Sequence, residues 1–558
     1  MFPVGIDNFS ATLTGYTLWI TVCIAVANGF LLFFASMKFL LVLQQSGYHG
    51  KRYFKWLSSP ETPYLNRLML LCLLGLLFFC LLNTCFLQVL DYSVSSYIGF
   101  ASYLLFIALY INSESGVNAK VPLKATKRLV RLCITYIVVL ALFTFGLTVL
   151  LNFIAYSIGD EMVGLLRFAP VCLIPLLSPF LLFIAYCVNE PLEYVIRTRI
   201  VIKATNKLNA SDVIRIGITG SFGKTSVKEI LNMMLSQRYR VLSTPSSYNT
   251  PMGIAITVKG LDSTHDIFIA EMGARSKGDI KELTRMIKPD YGVLTGINNQ
   301  HLESFGSIDR IKETKFELFE GLNKDGAGFF SSDSIGARDL YDRFGGEKYL
   351  AGRSDEKAFV YATDIITDSK GMSFNLHIRG EEVIKCSTVL LGKHSVSNIC
   401  LAAAVAYKLG LTPEEIAGGV NRIPALKHRL ELLPNNKNIV IIDDSYNSNE
   451  DGTRAAMEVL DTFSGRKIVL TPGLVELGKL ENIANLEFGK RLARHADLVI
   501  VIGRHNAEML INGLTEGGLP KENIMFAKTL NKGNAMLNDL IRDGDVVLFE
   551  NDLPDNYS

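Results

Sequence analysis

A short glycine-containing segment near the middle of the chain carries residue types that bind phosphate. It reads Thr-Gly-Ser-Phe-Gly-Lys-Thr-Ser over residues 219–226, between an apolar strand-like run at 213–218 and a helix-like run at 227–235. In this order of elements, the backbone N–H groups of the loop and the N-terminus of the helix attract phosphate oxygens. Lys224 would reach the β- and γ-phosphates of a nucleotide, and the Thr225 hydroxyl would bind Mg²⁺.

This segment departs from the standard phosphate-binding loop at one position. Ile218 stands where the first glycine of that pattern is expected. The chemistry is nevertheless supplied by the residues that follow it. The predicted phosphate-binding residues are Gly220, Ser221, Gly223, Lys224, Thr225 and Ser226.

A carboxylate suited to hold the metal follows the next strand. Glu271 ends an apolar strand-like run at 267–270. Mg²⁺ prefers carboxylate oxygen ligands, and the end of a strand in an open α/β sheet is where ligands bind. We therefore predict Glu271 as a Mg²⁺ ligand.

The composition divides the chain into two different halves. The 558 residues carry a net charge of +2, which gives no overall signal for nucleic-acid binding. Residues up to about 188 are dominated by long apolar runs, whereas the remainder has the composition of a soluble α/β protein. The nine cysteines contain no CxxC pair, so neither a structural zinc site nor a disulfide framework is supported.

The first half is predicted to be an α-helical transmembrane domain. Crossing a bilayer takes roughly 20 apolar residues. Five runs are long enough or nearly so, and they lie at 17–43, 68–90, 94–111, 132–155 and 165–188. No Asp, Glu or His lies in the middle of a run, which disfavours an ion or proton pathway.

The distribution of Lys and Arg between these runs predicts their orientation. The N-terminus and the loop at 91–93 have no basic residue, whereas basic residues cluster at 51–67, at 120–131 and after the fifth run. Cytoplasmic loops carry the excess of Lys and Arg. The pattern therefore predicts a multi-pass membrane protein with its N-terminus outside and its second half in the cytosol, where ATP is available.

The second half is predicted to contain two α/β domains. A P-loop-type ATP-binding central domain is expected at 191–434, after the transmembrane domain at 1–190. Short apolar runs at 438–443, 467–471, 498–502 and 546–549 alternate with helical stretches. This alternation predicts a Rossmann-like C-terminal domain at 435–558.

Several segments of the second half together resemble one protein family. The loop variant Gly-Ser-Phe-Gly-Lys-Thr-Ser is similar to that of the Mur ligases. The similarity continues in family order with Thr-Pro-Ser-Ser-Tyr-Asn-Thr-Pro-Met-Gly at 244–253, Glu-Met-Gly-Ala-Arg at 271–275, His-Leu-Glu-Ser-Phe-Gly-Ser at 301–307, Thr-Lys-Phe-Glu at 314–317, Gly-Lys-His-Ser-Val-Ser-Asn at 392–398 and Asp-Asp-Ser-Tyr-Asn-Ser-Asn at 443–449. Within the family, the segments most resemble the members that add D-alanyl-D-alanine.

This resemblance assigns further expected roles. His301 and Lys315 would bind a second Mg²⁺, with Lys315 carrying a carbamate, and both would join Lys224 in catalysis. Asn398, Arg429 and Asp444 would contact the nucleotide. Tyr446 and Asn447 would line the substrate side. Departures from the family pattern include Gly296 in the block before His301 and Ser395 in the nucleotide-base segment.

The resemblance implies an enzyme that uses ATP and Mg²⁺ to join a carboxylate to an amino acid or dipeptide through an acyl phosphate, in peptidoglycan or envelope precursor synthesis. Three alternatives remain open. They are a poly-γ-glutamate-type or folate-type ligase, a membrane ATPase or transporter, and a catalytically weak scaffold. The identity of the amine that ATP turnover requires would distinguish the two ligase types. ATP turnover without any amine would favour the transporter.

The length of the connection to the loop suggests where the acceptor comes from. Family members that use a UDP-linked sugar carry a separate domain before the loop, but only about 25 residues, 189–212, separate the fifth run from it, too few for a domain. We therefore expect an acceptor linked to the membrane, such as a lipid-carried envelope glycan or peptide.

Overall fold

The computed structural model describes residues 15–59, 63–86, 103–113, 123–158, 170–246, 248–300, 302–435, 438–446 and 449–551. The chain divides into two compact units, Met1–Ile196 and Arg197–Ser558. Two of the predicted site residues, His301 and Asn447, lie outside the described residues.

The first unit is helical in all the parts that the structure describes. Its helices are α1 Gly15–Ala35, α2 Met37–Gln45, α3 Gly50–Leu57, α4 Pro63–Phe86, α5 Tyr103–Ser113, α6 Lys127–Ile158 and the first part of α7 Ile174–Asn209, whose remainder belongs to the second unit. The helical character of this region is therefore confirmed.

In the part of the chain that the structure describes, the helices that could span a membrane are fewer than the five predicted. Among the described residues, Lys127–Leu151 and Ile174–Asn209 are long and apolar enough to cross a membrane. A third span results if Val22–Ala35 and Met37–Gln45, bent by 53° at their junction, are one span. Arg67–Leu81 and Tyr103–Ser113 are shorter apolar helices. The predicted count of five spans stays a prediction.

Two tyrosine hydroxyls pair with buried polar groups inside the first unit. The Tyr136 hydroxyl donates to the backbone oxygen of Ser178 at 3.0 Å and lies 2.7 Å from the Ser36 hydroxyl. The Tyr103 hydroxyl donates to Asn28 at 3.0 Å. Pairing is required because a buried polar group without a partner costs about 1–3 kcal/mol.

The second unit begins with a nine-stranded sheet, ordered β2-β3-β1-β4-β5-β6-β7-β8-β9. Neighbouring strands are parallel from β2 to β7, and β8 and β9 are antiparallel additions. The strands are β1 Ile214–Thr219, β2 Val241–Ser243, β3 Ile267–Glu271, β4 Tyr291–Leu294, β5 Ala327–Ser331, β6 Glu347–Gly352, β7 Val360–Asp368, β8 Gly371–Ile378 and β9 Ile384–Thr388.

Helices cover both faces of this sheet. They are α8 Lys224–Leu235, α9 Pro251–Val258, α10 Asp279–Ile287, α11 Leu302–Phe305, α12 Ile308–Glu320, α13 Ile335–Arg343, α14 Lys393–Lys408 and α15 Pro413–Asn421. Every residue of β3 and β5 is buried, as expected for parallel strands with helices on both sides. Local signals set helix starts, such as the capping box of Thr412 and Glu415 at α15.

A second, six-stranded sheet has the order β10-β11-β15-β12-β13-β14. All its neighbours are parallel except the short β10. Its elements are β10 Glu431–Leu432, β11 Val440–Asp444, α16 Glu450–Leu460, β12 Lys467–Thr471, α17 Glu481–Leu492, β13 Leu498–Ile502, α18 Ala507–Glu516, β14 Ile524–Ala527, α19 Leu530–Leu540 and β15 Val546–Glu550. The predicted pair of α/β domains is confirmed, and this sheet begins at Glu431, a few residues before the predicted boundary at 434.

Phe329 tests the core of the central domain. It is fully buried in β5 and stacks on Tyr349 with ring centroids 5.3 Å apart. We expect Phe329→Ala to lower the free energy of unfolding by about 3–5 kcal/mol, because it leaves a cavity in a packed core. Thermal unfolding of the detergent-solubilised chain would measure this. The control Ile366→Ala, at an exposed position, should change stability by less than about 0.5 kcal/mol; equal effects of the two would contradict the core assignment.

Candidate active site

The phosphate-binding loop joins the end of β1 to the start of α8. Gly223 precedes α8 in the left-handed conformation, with φ of 74°. Gly220 has φ of 152°, and a Cβ there would lie 2.1 Å from the Thr295 hydroxyl oxygen. A side chain is excluded at Gly220 on both counts, so backbone N–H groups can approach a ligand closely.

The segment after β4 supports this loop. Gly296 accepts a hydrogen bond from the Ser221 N–H at 2.8 Å, and the Thr295 hydroxyl donates to the Phe222 backbone oxygen. A Cβ on Gly296 would lie 2.3 Å from the Phe222 ring. The departure from the family pattern at Gly296 therefore has a steric reason, because the ring of Phe222 occupies the space that a side chain would need.

Lys224 is held inside the loop. Its ammonium donates to the backbone oxygens of Gly220 at 2.8 Å and Ser221 at 3.2 Å. Burial lowers the pKa of Lys224, the carboxylate of Glu271 opposes that shift, and the positive charge of Arg429 adds to it. The ammonium thus lies among phosphate-binding N–H groups, where the strand–loop–helix arrangement predicts it.

Glu271 lies beside the loop because of the register of the sheet. β3 pairs with β1 so that Glu271 is opposite Ile218, immediately before the loop. Its carboxylate is buried and accepts hydrogen bonds from the Thr225 hydroxyl at 2.9 Å and the Asn249 amide at 3.1 Å. The Glu271 backbone N–H donates to the Thr244 hydroxyl at 3.0 Å.

These residues fit a Mg²⁺ ion. A hydroxyl and a carboxylate that already touch each other, beside a loop open to phosphate, are the hard oxygen donors that Mg²⁺ takes together with substrate phosphates. Thr225 and Glu271 would hold the ion, as the sequence predicts.

Lys315 is buried in α12 and makes no hydrogen bond or ion pair with the residues that the structure describes. Its pKa is lowered to about 7, first by burial and then by the positive charge of Lys224, while nearby carboxylates oppose the shift. A large share of the amine is therefore neutral near physiological pH. This state is required for carbamate formation, although the carbamate itself stays a prediction.

A second group of predicted residues comes from the start of the C-terminal domain. The guanidinium of Arg429 lies 4.3 Å from the centre of the Tyr446 ring. Burial raises the pKa of Asp444 to about 6, while Arg429 and a hydrogen bond from the Leu430 N–H oppose that shift. His428 and Leu430, on either side of Arg429, both have positive φ, of 58° and 50°. These strained backbone positions direct Arg429 inward.

A cavity of about 470 Å³ joins the two domains. Its walls include the predicted residues Gly223, Ser226, Asn398, Arg429, Asp444 and Tyr446. Gly220, Ser221, Lys224, Thr225, Glu271 and Lys315 do not line this cavity and form a cluster beside it, continuous with it through the loop. The predicted residues that the structure describes therefore fall into two adjoining groups.

Sequence reasoning missed several residues in the cavity wall. Arg353, after β6, has a buried Nε atom for which the described part of the chain provides no hydrogen-bond partner. His394 is the second residue of α14, and its pKa is lowered to about 4 by burial and by the positive charges of Arg353 and Arg429. His394 lies in a quoted family segment and could have been selected there, whereas Arg353 lies outside every such segment.

Asn298 was also missed as a contact between the domains. Its amide donates to the side chains of Asn449 at 3.2 Å and Asp451 at 3.3 Å, both in the C-terminal domain. The Ser221 hydroxyl donates to the Asn298 backbone oxygen at 3.4 Å. Asn298 therefore connects the phosphate-binding loop to α16, through its backbone oxygen on one side and its side-chain amide on the other.

The fold and these two groups define a two-domain α/β protein in which a phosphate-binding loop faces a second, Rossmann-like domain. The family model described as Mur ligase middle domain matches residues 218–406, and that described as Mur ligase, glutamate ligase domain matches residues 428–550. Together they match more than half of the chain. The chain belongs to the Mur ligase family.

The similar curated proteins carry the name UDP-N-acetylmuramoyl-tripeptide–D-alanyl-D-alanine ligase. The chain is 31% identical to that of Buchnera aphidicola over 53% of this chain and 64% of the relative. It is 31% identical to that of Bacillus subtilis over 49% and 59%, and 30% identical to that of Escherichia coli over 52% and 65%. The chain thus spans less than two thirds of the length of these relatives.

Solved structures share the fold. MurF from Acinetobacter baumannii matches with a TM-score of 0.58 and 24% identity, over 64% of this chain and 77% of that one. MurF from Thermotoga maritima, in complex with ADP, matches with a TM-score of 0.57 and 24% identity, over 64% and 80%.

The steric requirement at Gly220 can be tested with one added methyl group. We expect Gly220→Ala to weaken binding of a fluorescent ATP analogue by roughly 100-fold, about 2.7 kcal/mol, because the new Cβ overlaps Thr295 and the loop must move. Gly345→Ala is the matched control, since a Cβ at Gly345 meets nothing within 4 Å. Equal affinities for Gly220→Ala and the unsubstituted chain would contradict this role of the loop.

The neutral amine of Lys315 can be tested with labelled CO₂. Because its pKa is about 7 and carbamates form from the neutral amine, we expect a ¹³C-carbamate NMR signal in ¹³C-bicarbonate that grows as pH rises through about 7. Lys315→Ala should remove the signal, and Lys348→Met, at a lysine that donates to two backbone oxygens elsewhere, should keep it. A signal that persists in Lys315→Ala would show that the label is on another group.

Proposed function

We propose that the chain is an ATP-dependent ligase that joins a carboxylate to an amino acid or dipeptide in the synthesis of a cell-envelope precursor. The observation that carries this proposal is the grouping of Lys224, Thr225, Glu271 and Lys315 beside a cavity to which Arg429 and Asp444 contribute from the second domain. The names of the similar ligases supply the reaction class.

In this reaction the γ-phosphoryl group of ATP passes to a carboxylate oxygen, giving an acyl phosphate and ADP. The amine then attacks the carbonyl carbon, phosphate leaves with the electrons of the C–O bond, and the amine loses a proton. Charge spreads over the transferring phosphoryl oxygens, so catalysis depends on cationic groups fixed in place.

Different residues of the chain would carry out different parts of this reaction. The loop from Gly220 to Ser226 binds the phosphates through its N–H groups, and Lys224 would exchange its two loop carbonyl partners for phosphate oxygens. Asn398 and Asp444 would contact the base and ribose from the cavity wall. Tyr446 holds the Arg429 guanidinium against its ring.

Thr225 and Glu271 would hold Mg²⁺, and Lys315, as a carbamate, would hold a second ion with His301. Bound Mg²⁺ neutralises the charge that develops on the transferring phosphoryl group. The buried Glu271 carboxylate keeps its orientation through Thr225 and Asn249.

The acceptor in this proposal is linked to a membrane lipid. β1 follows α7 almost directly, so no separate sugar-nucleotide domain lies between the helical unit and the phosphate-binding loop. The helical unit, with five spans, the N-terminus outside and the ligase domains in the cytosol, would bring the enzyme to a lipid-carried carboxylate in a bacterial cell membrane. The helices with lengths and apolar sequences sufficient to span a bilayer support this placement.

Product formation by the detergent-purified chain tests the proposal. Phosphate release from ATP and amide products, detected by mass spectrometry, would be measured with D-alanyl-D-alanine, single D-amino acids and Glu, each with lipid-linked or UDP-linked peptide acceptors. We expect turnover that needs both an amine and a lipid-linked carboxylate. Efficient use of the UDP-linked acceptor alone would exclude the lipid-linked substrate, and turnover that ignores every amine would favour an ATPase or transporter.

Lys224 supplies the matched variant for this assay. We expect Lys224→Met to reduce the rate of amide formation by roughly 10²–10³-fold, because it removes a fixed charge from the transferring phosphoryl group. Lys370→Met, at an exposed turn, should leave the rate unchanged. Unchanged product formation in Lys224→Met would contradict the assignment of the phosphate site.

A further inference from the structure

A fully buried lysine lies beside the metal ligand Glu271 and has no role in the proposed reaction. Lys228 is on α8, one turn after Lys224, and its side chain is inaccessible to solvent. Its ammonium lies 3.5 Å from a Glu271 carboxylate oxygen and 3.2 Å from one of Glu229. It also donates to the backbone oxygen of Ser246 at 3.0 Å.

Burying an ammonium group is costly unless it is paired, and the penalty in proteins is several kcal/mol per ion. A methionine or leucine would fill this position in α8 without that cost. The position therefore needs an explanation that uses the charge, and the nearest buried charge is that of Glu271.

Glu271 is surrounded by positive charge. Its carboxylate acts electrostatically on Lys224 and Arg429, and it is in direct contact with Lys228. A free divalent cation that approaches Glu271 is repelled by the Lys228 ammonium, which lies 3.5 Å from that carboxylate. A cation that arrives with the negative charges of a nucleotide triphosphate is not, because the phosphates neutralise the surrounding lysines.

Glu229 gives Lys228 an alternative partner. The Glu229 carboxylate is partly exposed and already lies within ion-pair distance. When Glu271 turns to a metal ion, Lys228 therefore keeps a counter-charge instead of being left buried and unpaired. Because Glu229 stays paired with the Lys228 ammonium, Glu271 can turn away from it without disrupting the local structure.

We propose that Lys228 is a positioning residue that neutralises Glu271 and restricts metal binding there to the nucleotide-bound state. This inference rests on the proposed function, because it takes Glu271 as a metal ligand. Its consequence is that the chain takes up the metal as a metal–ATP complex and does not hold the free ion beforehand.

Binding of Mn²⁺, measured by electron paramagnetic resonance on the full detergent-purified chain, tests this directly. The unsubstituted chain should bind Mn²⁺ at least about tenfold more tightly with a non-hydrolysable ATP analogue than without it, a difference of at least about 1.4 kcal/mol. Lys228→Met removes the charge and should tighten binding without nucleotide by at least about tenfold. Lys228→Arg keeps the charge and should bind like the unsubstituted chain.

The possible results of this experiment have different consequences for the inference and for the ligase proposal. If Lys228→Met binds Mn²⁺ without nucleotide no more tightly than the unsubstituted chain does, the inference is overturned. The ligase proposal is not affected by that result. Absence of Mn²⁺ binding by the unsubstituted chain even with the nucleotide overturns the metal role of Glu271, and the inference with it. Lys348→Met reports the effect of removing a lysine elsewhere in the domain. If Lys228→Met does not fold, tight Mn²⁺ binding by the unsubstituted chain without nucleotide still overturns the inference, and weak binding supports it.

Discussion

The balance of charge at the phosphate-binding loop is the constraint on which the functional half of the structure depends. Lys224, Lys228 and Arg429 lie around the Glu271 carboxylate and are buried or half-buried. Buried charges of one sign are tolerated only where opposite charge can reach them. The cluster is thus built for a polyanion, and a nucleotide triphosphate is the polyanion that a loop after a β-strand accepts.

The arrangement of the two domains also follows from this balance of charge. Arg429 and Asp444 come from the start of the C-terminal domain and line the same cavity as Gly223 and Asn398 of the central one. Asn298 holds the facing helix through two hydrogen bonds. In the function proposed above, closure of the two domains over a nucleotide would complete the site and exclude water, which would strengthen the electrostatic interactions inside it.

The parts of this site that were predictable from the sequence are those fixed by local structure. Gly220, Lys224 and Thr225 follow from a strand–loop–helix sequence, and Glu271 from its place at the end of an apolar strand. Lys228 reads from sequence as an ordinary helical lysine; its burial depends on Ser246 and on β3, which only the folded sheet brings near. Arg353 and Asn298 were not found for the same reason, since their partners are distant in sequence.

The helical unit shows a similar limit. Apolar runs predicted most of the described helices, but α3 lies in a segment interpreted as a loop. Length and composition alone do not fix how many helices cross a membrane. The bend of 53° between Val22–Ala35 and Met37–Gln45 falls inside the first predicted run. Ser36 lies at that bend, where its hydroxyl donates to the Leu32 backbone oxygen and contacts Tyr136. Such a break depends on contacts with other helices, and the periodicity within the run does not predict it.

A structure of the full chain by electron cryo-microscopy, with Mg²⁺ and a non-hydrolysable ATP analogue, tests the central claim most directly. The account predicts triphosphate density along Gly220–Ser226, a metal ion touching Thr225 and Glu271, and Lys224 turned from the Gly220 and Ser221 carbonyls to the phosphates. Nucleotide density elsewhere, or Lys224 still bonded to both carbonyls beneath a bound triphosphate, would contradict it.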